Sequence, residues 1–308
     1  MISVIIPARN AAATIAWSLG GLAAQDFDGE WEVIVVDDGS SDATVELVRA
    51  AGVDARVLRE DGVGPALARN AGAASATGTT LAFLDADCRP TESWLRSGVR
   101  ALERAELVQG ATHPDPAEPI GPFDRTISVR RPSPLYESAN LFVRCGLFGA
   151  LEGFESWLGR ASGKELGEDV WFGWRARRLG ARTAFCAEAV VHHAVFPRGA
   201  VGYVGERARL RYFPPLARRI PELREQFFYR RWFLSARSAA YDLALAGCVA
   251  AAVSRRPLAL AAAAPYAAQL ITSPRGAEGR ILAAELAADT VSFAALLAGS
   301  LASGSLLL

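Results

Sequence analysis

Thr80-Leu81-Ala82-Phe83-Leu84-Asp85-Ala86-Asp87 is an apolar run that ends in two carboxylates separated by one small residue. The run has the length and composition of a buried strand. Side chains alternate along a strand, so residues 85 and 87 are expected on one side. Two carboxylates placed together repel unless a cation sits between them, and hard divalent ions such as Mg²⁺ or Mn²⁺ prefer carboxylate oxygen and substrate phosphates. A lone triplet of this kind also fits a plain acidic turn.

The triplet has company. Ile2-Ser3-Val4-Ile5-Ile6 runs into Pro7-Ala8-Arg9-Asn10, and Trp31-Glu32-Val33-Ile34-Val35-Val36 runs into Asp37-Asp38-Gly39-Ser40-Ser41-Asp42. Both runs are short and β-branched, as buried parallel strands are. Helical patterns follow them, over roughly 12–24 and 43–51, the second with Asp42 as its expected N-cap. Strand alternating with helix predicts a parallel sheet with right-handed crossovers. Ligands of such sheets bind beyond the carboxyl ends of the strands, so the three polar clusters are expected to form one site.

The chain has 308 residues, with 33 basic and 33 acidic side chains. Balanced charge argues against a nucleic-acid partner. Cys88, Cys145, Cys186 and Cys248 are widely spaced and suggest neither a zinc set nor a disulfide framework, which suits a reducing compartment. Met1 leads directly into the first strand, so no signal peptide is expected. Composition shifts mark four segments: a regular βα region over 1–110, a mixed region over 111–204 that opens with a Pro-rich passage, a basic and aromatic segment over 205–237, and an Ala/Leu-rich tail over 238–308.

VIIPARN, VVDDGSSD, Gly64-Pro65-Ala66-Leu67-Ala68-Arg69-Asn70-Ala71-Gly72 and FLDADC, in this order and spacing, resemble the nucleotide-binding half of family 2 glycosyltransferases with the GT-A fold. The resemblance runs through Gly167-Glu168-Asp169 and covers about the first two thirds of the chain. It implies an α/β GT-A domain, with 1–110 binding the nucleotide sugar and 111–204 the acceptor, followed by a helical extension. It implies inverting transfer from a nucleotide-sugar donor to a hydroxyl acceptor, with Mg²⁺ or Mn²⁺ as cofactor.

Residue by residue, the resemblance makes Asp87 the direct metal ligand, with Asp85 beside it or reaching it through ribose or water across Ala86. Asp38 matches the residue at the base or ribose, with neighbouring Asp37 in the same turn. Pro7, Ala8 and Arg9 match the strand end lining the nucleoside pocket, and Arg69 a residue near base and phosphate. Asp169 matches the general base, while Glu168 orients it or binds acceptor. Glu168 and Asp169 follow Gly163-Lys164-Glu165-Leu166-Gly167, and a helix start also favours carboxylates through its dipole. Of the two histidines ending Ala189-Val190-Val191-His192-His193, His193 fits the metal site better. Trp157, Trp171 and Trp174 suit stacking on sugar or burial in the core, the latter for at least two of them. Gln226 and Arg231-Trp232 are too far apart for the Gln-x-x-Arg-Trp motif of processive synthases.

Two rival functions differ in class. A nucleotidyltransferase should carry a Gly-rich loop with a lysine near the N-terminus, and residues 6–15 have neither. A non-catalytic sugar- or nucleotide-binding protein would not need Asp85, Asp87 and Asp169. Arginines between 207 and 231, interleaved with aromatics, suit anionic headgroups and equally suit closure over the donor diphosphate. The apolar stretches Leu243–Val253, Leu258–Thr272 and Thr290–Leu308 are short or interrupted; they fit a soluble bundle, a re-entrant hairpin or marginal spans. Membrane association is the favoured expectation, with the enzyme on the cytoplasmic face.

Overall fold

A computed structural model describes residues 1–158, 166–276 and 278–308, so Gly163, Lys164 and Glu165 lie outside the described residues. The described chain forms two compact units, one of residues 1–119 and 126–195, the other of residues 120–125 and 196–308.

The first unit is built on a sheet in the order β3-β2-β1-β4-β7-β6-β8-β5. These strands are β1 (Ile2–Ala8), β2 (Trp31–Asp38), β3 (Ala55–Glu60), β4 (Thr80–Leu84), β5 (Cys88–Pro90), β6 (Leu107–Pro114), β7 (Asn140–Arg144) and β8 (Thr183–His193). The helices are α1 (Ile15–Ala23), α2 (Thr44–Ala50), α3 (Pro65–Ala74), α4 (Trp94–Ala101), α5 (Cys145–Ala150) and α6 (Glu168–Arg178). The expected parallel sheet holds from β3 through β4. Beyond β4 the sheet is mixed: β7 is antiparallel to both β4 and β6, and β8 runs parallel to β6. Two reversals therefore return β8 to the direction of β4, and its C-terminal end reaches the same sheet edge as Asp85 and Asp87.

Val4, Ile5 and Ile6 of β1 and Val33–Val36 of β2 are almost wholly buried, which is why these strands read as unbroken apolar runs. Gly72 lets α3 close on the sheet, because a Cβ there would lie 2.5 Å from Ile5 Cγ2. The β1 and β2 loops are stitched together by side chains. Asn10 N–H donates to Ser40 Oγ (2.9 Å), Ser41 N–H to Asn10 Oδ1 (2.9 Å) and Ala11 N–H to Thr44 Oγ1 (2.8 Å). Asp42 does not take the N-cap expected of it. Ala43 holds that position, and Asp42 instead accepts Ala12 N–H (3.1 Å) and Thr44 N–H (3.1 Å), tying the two loops.

The second unit is helical. Short helix α7 (Ala200–Glu206) leads into the basic, aromatic segment, which holds α8 (Phe213–Arg219), α9 (Leu223–Gln226) and a 3-10 turn over Arg207–Tyr212. The tail forms α10 (Ala236–Ser254), a 3-10 turn over Pro257–Ala263, α11 (Ala264–Ile271) and α12 (Gly279–Ser303). The first apolar stretch of the sequence falls within α10, the second runs through the 3-10 turn and α11 to Thr272, and the third starts in α12 and continues past its end to Leu308. By length and composition α10 and α12 suffice to cross a membrane.

Candidate active site

β4 ends at Leu84, so Asp85 and Asp87 do not share the strand's alternation and are not placed on one side by it. The next residues form a turn closed by Cys88 N–H donating to Asp85 O (3.0 Å), and the two carboxylates find different partners. Asp85 Oδ1 accepts from Arg69 Nη2 at 2.6 Å. Asp87 Oδ2 lies 3.5 Å from His193 Nε2. Ala86 between them is buried.

His193 is held from behind. Its Nδ1 lies 2.6 Å from Ala194 O and 3.3 Å from Thr126 Oγ1, contacts that favour the proton on Nδ1. In that tautomer Nε2 presents a lone pair toward the Asp87 carboxylate. Two electron-pair donors 3.5 Å apart suit a cation between them. The Cys88 sulfur belongs to the same cluster, but burial and the nearby Asp87 and Asp85 charges push its thiol well above the ordinary range. It stays neutral and serves as a small apolar side chain of the core. His192 points elsewhere, into a cleft with Trp17, Arg89 and Arg96.

Arg69 is the centre of the site. It lies on α3, is buried, and bridges Asp85 (2.6 Å) to Glu168 (3.2 Å) on α6. Burial opposes its charge, but Asp85 and Glu168 outweigh burial and raise its pKa. Its ring-face contact with Phe154 (5.8 Å) and the paired hydrogen bonds of Asn70 with the Phe154 backbone (both 2.8 Å) fix the Gly153-Phe154 turn beside it. Both functions of the α3 motif, close packing through Gly72 and polar reach through Arg69 and Asn70, are visible here.

Gly167 precedes α6 with φ +76°, a conformation that glycine adopts without strain. It turns the chain so that Glu168 and Asp169 open the helix. Asp169 Oδ2 accepts Ser138 N–H (3.3 Å) and its Oδ1 faces Val170 N–H (2.7 Å). Burial, then Glu168, then Glu137 raise its pKa well above the ordinary carboxylate range. Glu137 escaped the sequence reading. It is held by Gln109 Nε2 (2.6 Å) and Ser133 Oγ (3.0 Å), and no local pattern marks it, because its significance comes from a fold contact with α6.

At the end of β2, Asp38 accepts Val63 N–H (2.6 Å) and Gly64 N–H (2.9 Å), and so shapes the loop that starts α3. Asp37 accepts Ser40 N–H (3.2 Å). Both aspartates are buried, and Pro7 and Ala8 lie at the end of β1, with Arg9 exposed just beyond it. Trp174 is a core residue whose Nε1 donates to Pro134 O (2.9 Å); Trp171, only partly buried, donates to Glu155 Oε2 (2.6 Å).

Residues 3–149 match the family model described as Glycosyl transferase family 2. Glycosyltransferase AglE of Haloferax volcanii is 31% identical over 213 residues, which cover 64% of this chain and 68% of that protein. The pre-mycofactocin glycosyltransferase of Mycobacterium tuberculosis is 30% identical over 214 residues, 62% of this chain and 42% of that protein. Among solved structures, the mannosyltransferase PcManGT from Pyrobaculum calidifontis, in complex with GDP-Man and Mn²⁺, superposes with a TM-score of 0.67 over 95% of this chain and 86% of that one, at 23% identity. S. aureus TarS in complex with UDP gives a TM-score of 0.51 over 99% of this chain and 92% of its own, at 18% identity. The structures share the fold. The chain is an enzyme of the glycosyltransferase class and belongs to glycosyl transferase family 2.

Proposed function

We propose that the protein moves a sugar, with inversion, from a nucleoside-diphosphate donor to a hydroxyl acceptor at the cytoplasmic face of a membrane, with a divalent cation at Asp87 and His193. The observation that carries this is a pair of contact sets on one turn: Asp87 faces His193, and Asp85, two residues earlier, is bridged by Arg69 to Glu168, the neighbour of Asp169. One buried arginine thus ties the turn of the proposed cation ligand, Asp87, to the residue that precedes the proposed base, Asp169.

The donor set combines one carboxylate and one imidazole, which suits Mn²⁺ better than Mg²⁺. When bound, such a cation offsets the charge that develops on a departing diphosphate. The chain's own groups do the remainder. Asp37, Asp38 and the β1 end line the nucleoside side, and Arg69 supplies a second positive charge near the phosphates. Asp169 takes the proton from the acceptor hydroxyl as that oxygen attacks the anomeric carbon. A single displacement of this kind needs one base and inverts the anomeric centre. The raised pKa of Asp169 makes it a stronger base than a solvated aspartate, so proton transfer is better matched to the attacking hydroxyl.

PcManGT with GDP-Man and Mn²⁺, and TarS with UDP-GlcNAc, are neighbours whose complexes support a nucleotide-sugar donor and a divalent ion. The long, apolar and largely uncovered helix α10 supports the location. The test is Asp169→Asn. Turnover should fall by roughly 10²–10⁴-fold with Mn²⁺-dependent donor binding retained, since general-base catalysis contributes about that much. Near-normal turnover would move the base elsewhere.

A further inference from the structure

We propose that the helical hairpin of α10 and Pro257–Ile271 is a monotopic membrane insert, which enters one leaflet and returns with Arg255 and Arg256 at the headgroups. This rests on the membrane location inferred above and names the segment that makes the contact and its depth.

The hairpin's near end is fixed in a polar cluster. Arg237 at the start of α10 pairs with Asp289 (2.7 Å) and Glu285 (3.4 Å) on α12. Tyr266 on α11 donates to Asp289 (2.8 Å), and Ser273 to Glu285 (2.6 Å). Tyr241 packs edge-on against Tyr266, so the two legs share one level here. Beyond this level the chain changes character. No charged side chain occurs from Leu243 to Ser254 or from Pro257 to Pro274. The legs meet through small residues: a Cβ on Gly247 would lie 2.7 Å from both Ala259 O and Ala262 Cβ. Close packing through glycine and alanine is how helices associate where lipid, not water, surrounds them.

What faces outward is apolar. Leu243, Val249, Val253, Leu258, Leu260 and Ile271 are exposed, Val253 at 81% and Leu258 at 85%. Soluble proteins rarely leave so continuous an apolar surface uncovered. A lipid bilayer is the occupant that fits, because the exposed stretches surround the hairpin rather than line one groove, and arginines stand at both of its ends.

Length decides between spanning and dipping. The uncharged part of α10 measures about 18 Å at 1.5 Å per residue. The hydrocarbon core is about 30 Å thick. A tip at that depth would leave Arg255 and Arg256 near the bilayer centre, where ionised side chains are costly and return to the headgroups when they can. An oblique insert within one leaflet meets both demands. α12 does not join it: Glu285, fully buried and paired with Arg237 and Arg275, belongs to the protein interior.

Cys248 lies exposed on α10 and is a native reporter. The full-length protein is mixed with phosphatidylethanolamine/phosphatidylglycerol vesicles and treated from outside with a membrane-impermeant maleimide. Labelled sites are read by mass spectrometry, and flotation reports what is bound. Cys248 should react in buffer and lose its reactivity on vesicles. In Cys248→Ser/Ser254→Cys, the tip thiol should stay reactive on vesicles. Loss of reactivity at both positions would mean a span and overturn the proposal. Reactivity at both in floated protein would overturn insertion while leaving membrane binding through the basic segment. Failure to float would overturn both the insert and the membrane location. Protection of Cys248 without vesicles would mean that a second copy of the chain covers the face, which also overturns it. Mn²⁺-dependent donor hydrolysis by Cys248→Ser reports the catalytic proposal separately.

Discussion

Asp169 keeps its proton to a higher pH than a solvated aspartate, because burial and the Glu168 and Glu137 carboxylates disfavour its charged form. A base works only when deprotonated, so the acid limb of kcat/KM should lie above the ordinary carboxylate range. Glu137→Gln removes one of the charges, and the amide can still accept from Gln109 and donate to Ser133. The acid limb should then move to lower pH, with donor KM unchanged; an unmoved limb would detach Glu137 from the base. The same shift has a consequence for stability. A carboxyl whose folded pKa is raised binds more protons folded than unfolded, so stability falls as pH rises from the unfolded pKa through the folded one. Asp169→Asn removes this penalty. It should melt higher than wild type at neutral pH and converge with it in acid, each kcal/mol gained adding about 2–4 °C for a protein of this size. At the other end of the site, Asp87→Ala and His193→Ala should each abolish Mn²⁺-dependent binding of a nucleoside diphosphate, as measured by calorimetry, in folded protein. Asp87, His193 and Asp169 were legible as candidates because Asp87 follows a buried strand, His193 ends one and Asp169 stands in the first turn of a helix. Glu137 was not, since a half-buried glutamate in an irregular passage has no local signature.

Elements were legible where a local rule had no competitor. β1, β2 and β4 are buried on both faces, so composition alone marks them, and the α3 motif carries its own start in Gly64-Pro65. Gly64 has φ +93° and Pro65 holds the first helical position. The second half of the sheet was harder. β7 is antiparallel between β4 and β6, and direction within a sheet is set by long-range pairing that no short stretch encodes. The placement of Asp42 failed for a similar reason: its carboxylate ties the β1 loop to the β2 loop instead of capping α2. Packing of α3 offers a direct test. Gly72→Ala puts a methyl 2.5 Å from Ile5 Cγ2 and forces α3 away from β1. Overpacking of this kind typically costs about 1–3 kcal/mol. Because Arg69 stands on the same helix, Gly72→Ala should also weaken donor affinity; a stability loss with unchanged affinity would show that the Asp85–Arg69–Glu168 contacts hold Arg69 independently of the helix position.

At the scale of the whole molecule, the two compact units hold themselves together by different means. The first is a sheet core of branched apolar side chains. The second relies on helices rich in alanine, whose small side chains bury little area each, and on buried charge in its tail. Composition shows these helices as apolar, but it cannot show that Glu285 of α12 has no exposed side-chain surface and faces both Arg237 and Arg275. That arrangement separates α12 from the exposed hairpin and sets an expected energy. Removing one partner of a fully buried pair costs roughly 3–5 kcal/mol, because the remaining charge is stranded. Here Arg237 and Arg275 keep side-chain exposures of 25% and 39%, so water can take over part of the lost contact. Glu285→Ala should therefore destabilise by less than the stranded-charge figure, yet by clearly more than an exposed pair, which is worth about 0–1 kcal/mol. Thermal melting should show the loss, while Mn²⁺-dependent donor binding, measured well below the transition, should stay at the wild-type value. A melt unchanged by Glu285→Ala would mean that apolar contacts alone hold α12 in the second unit.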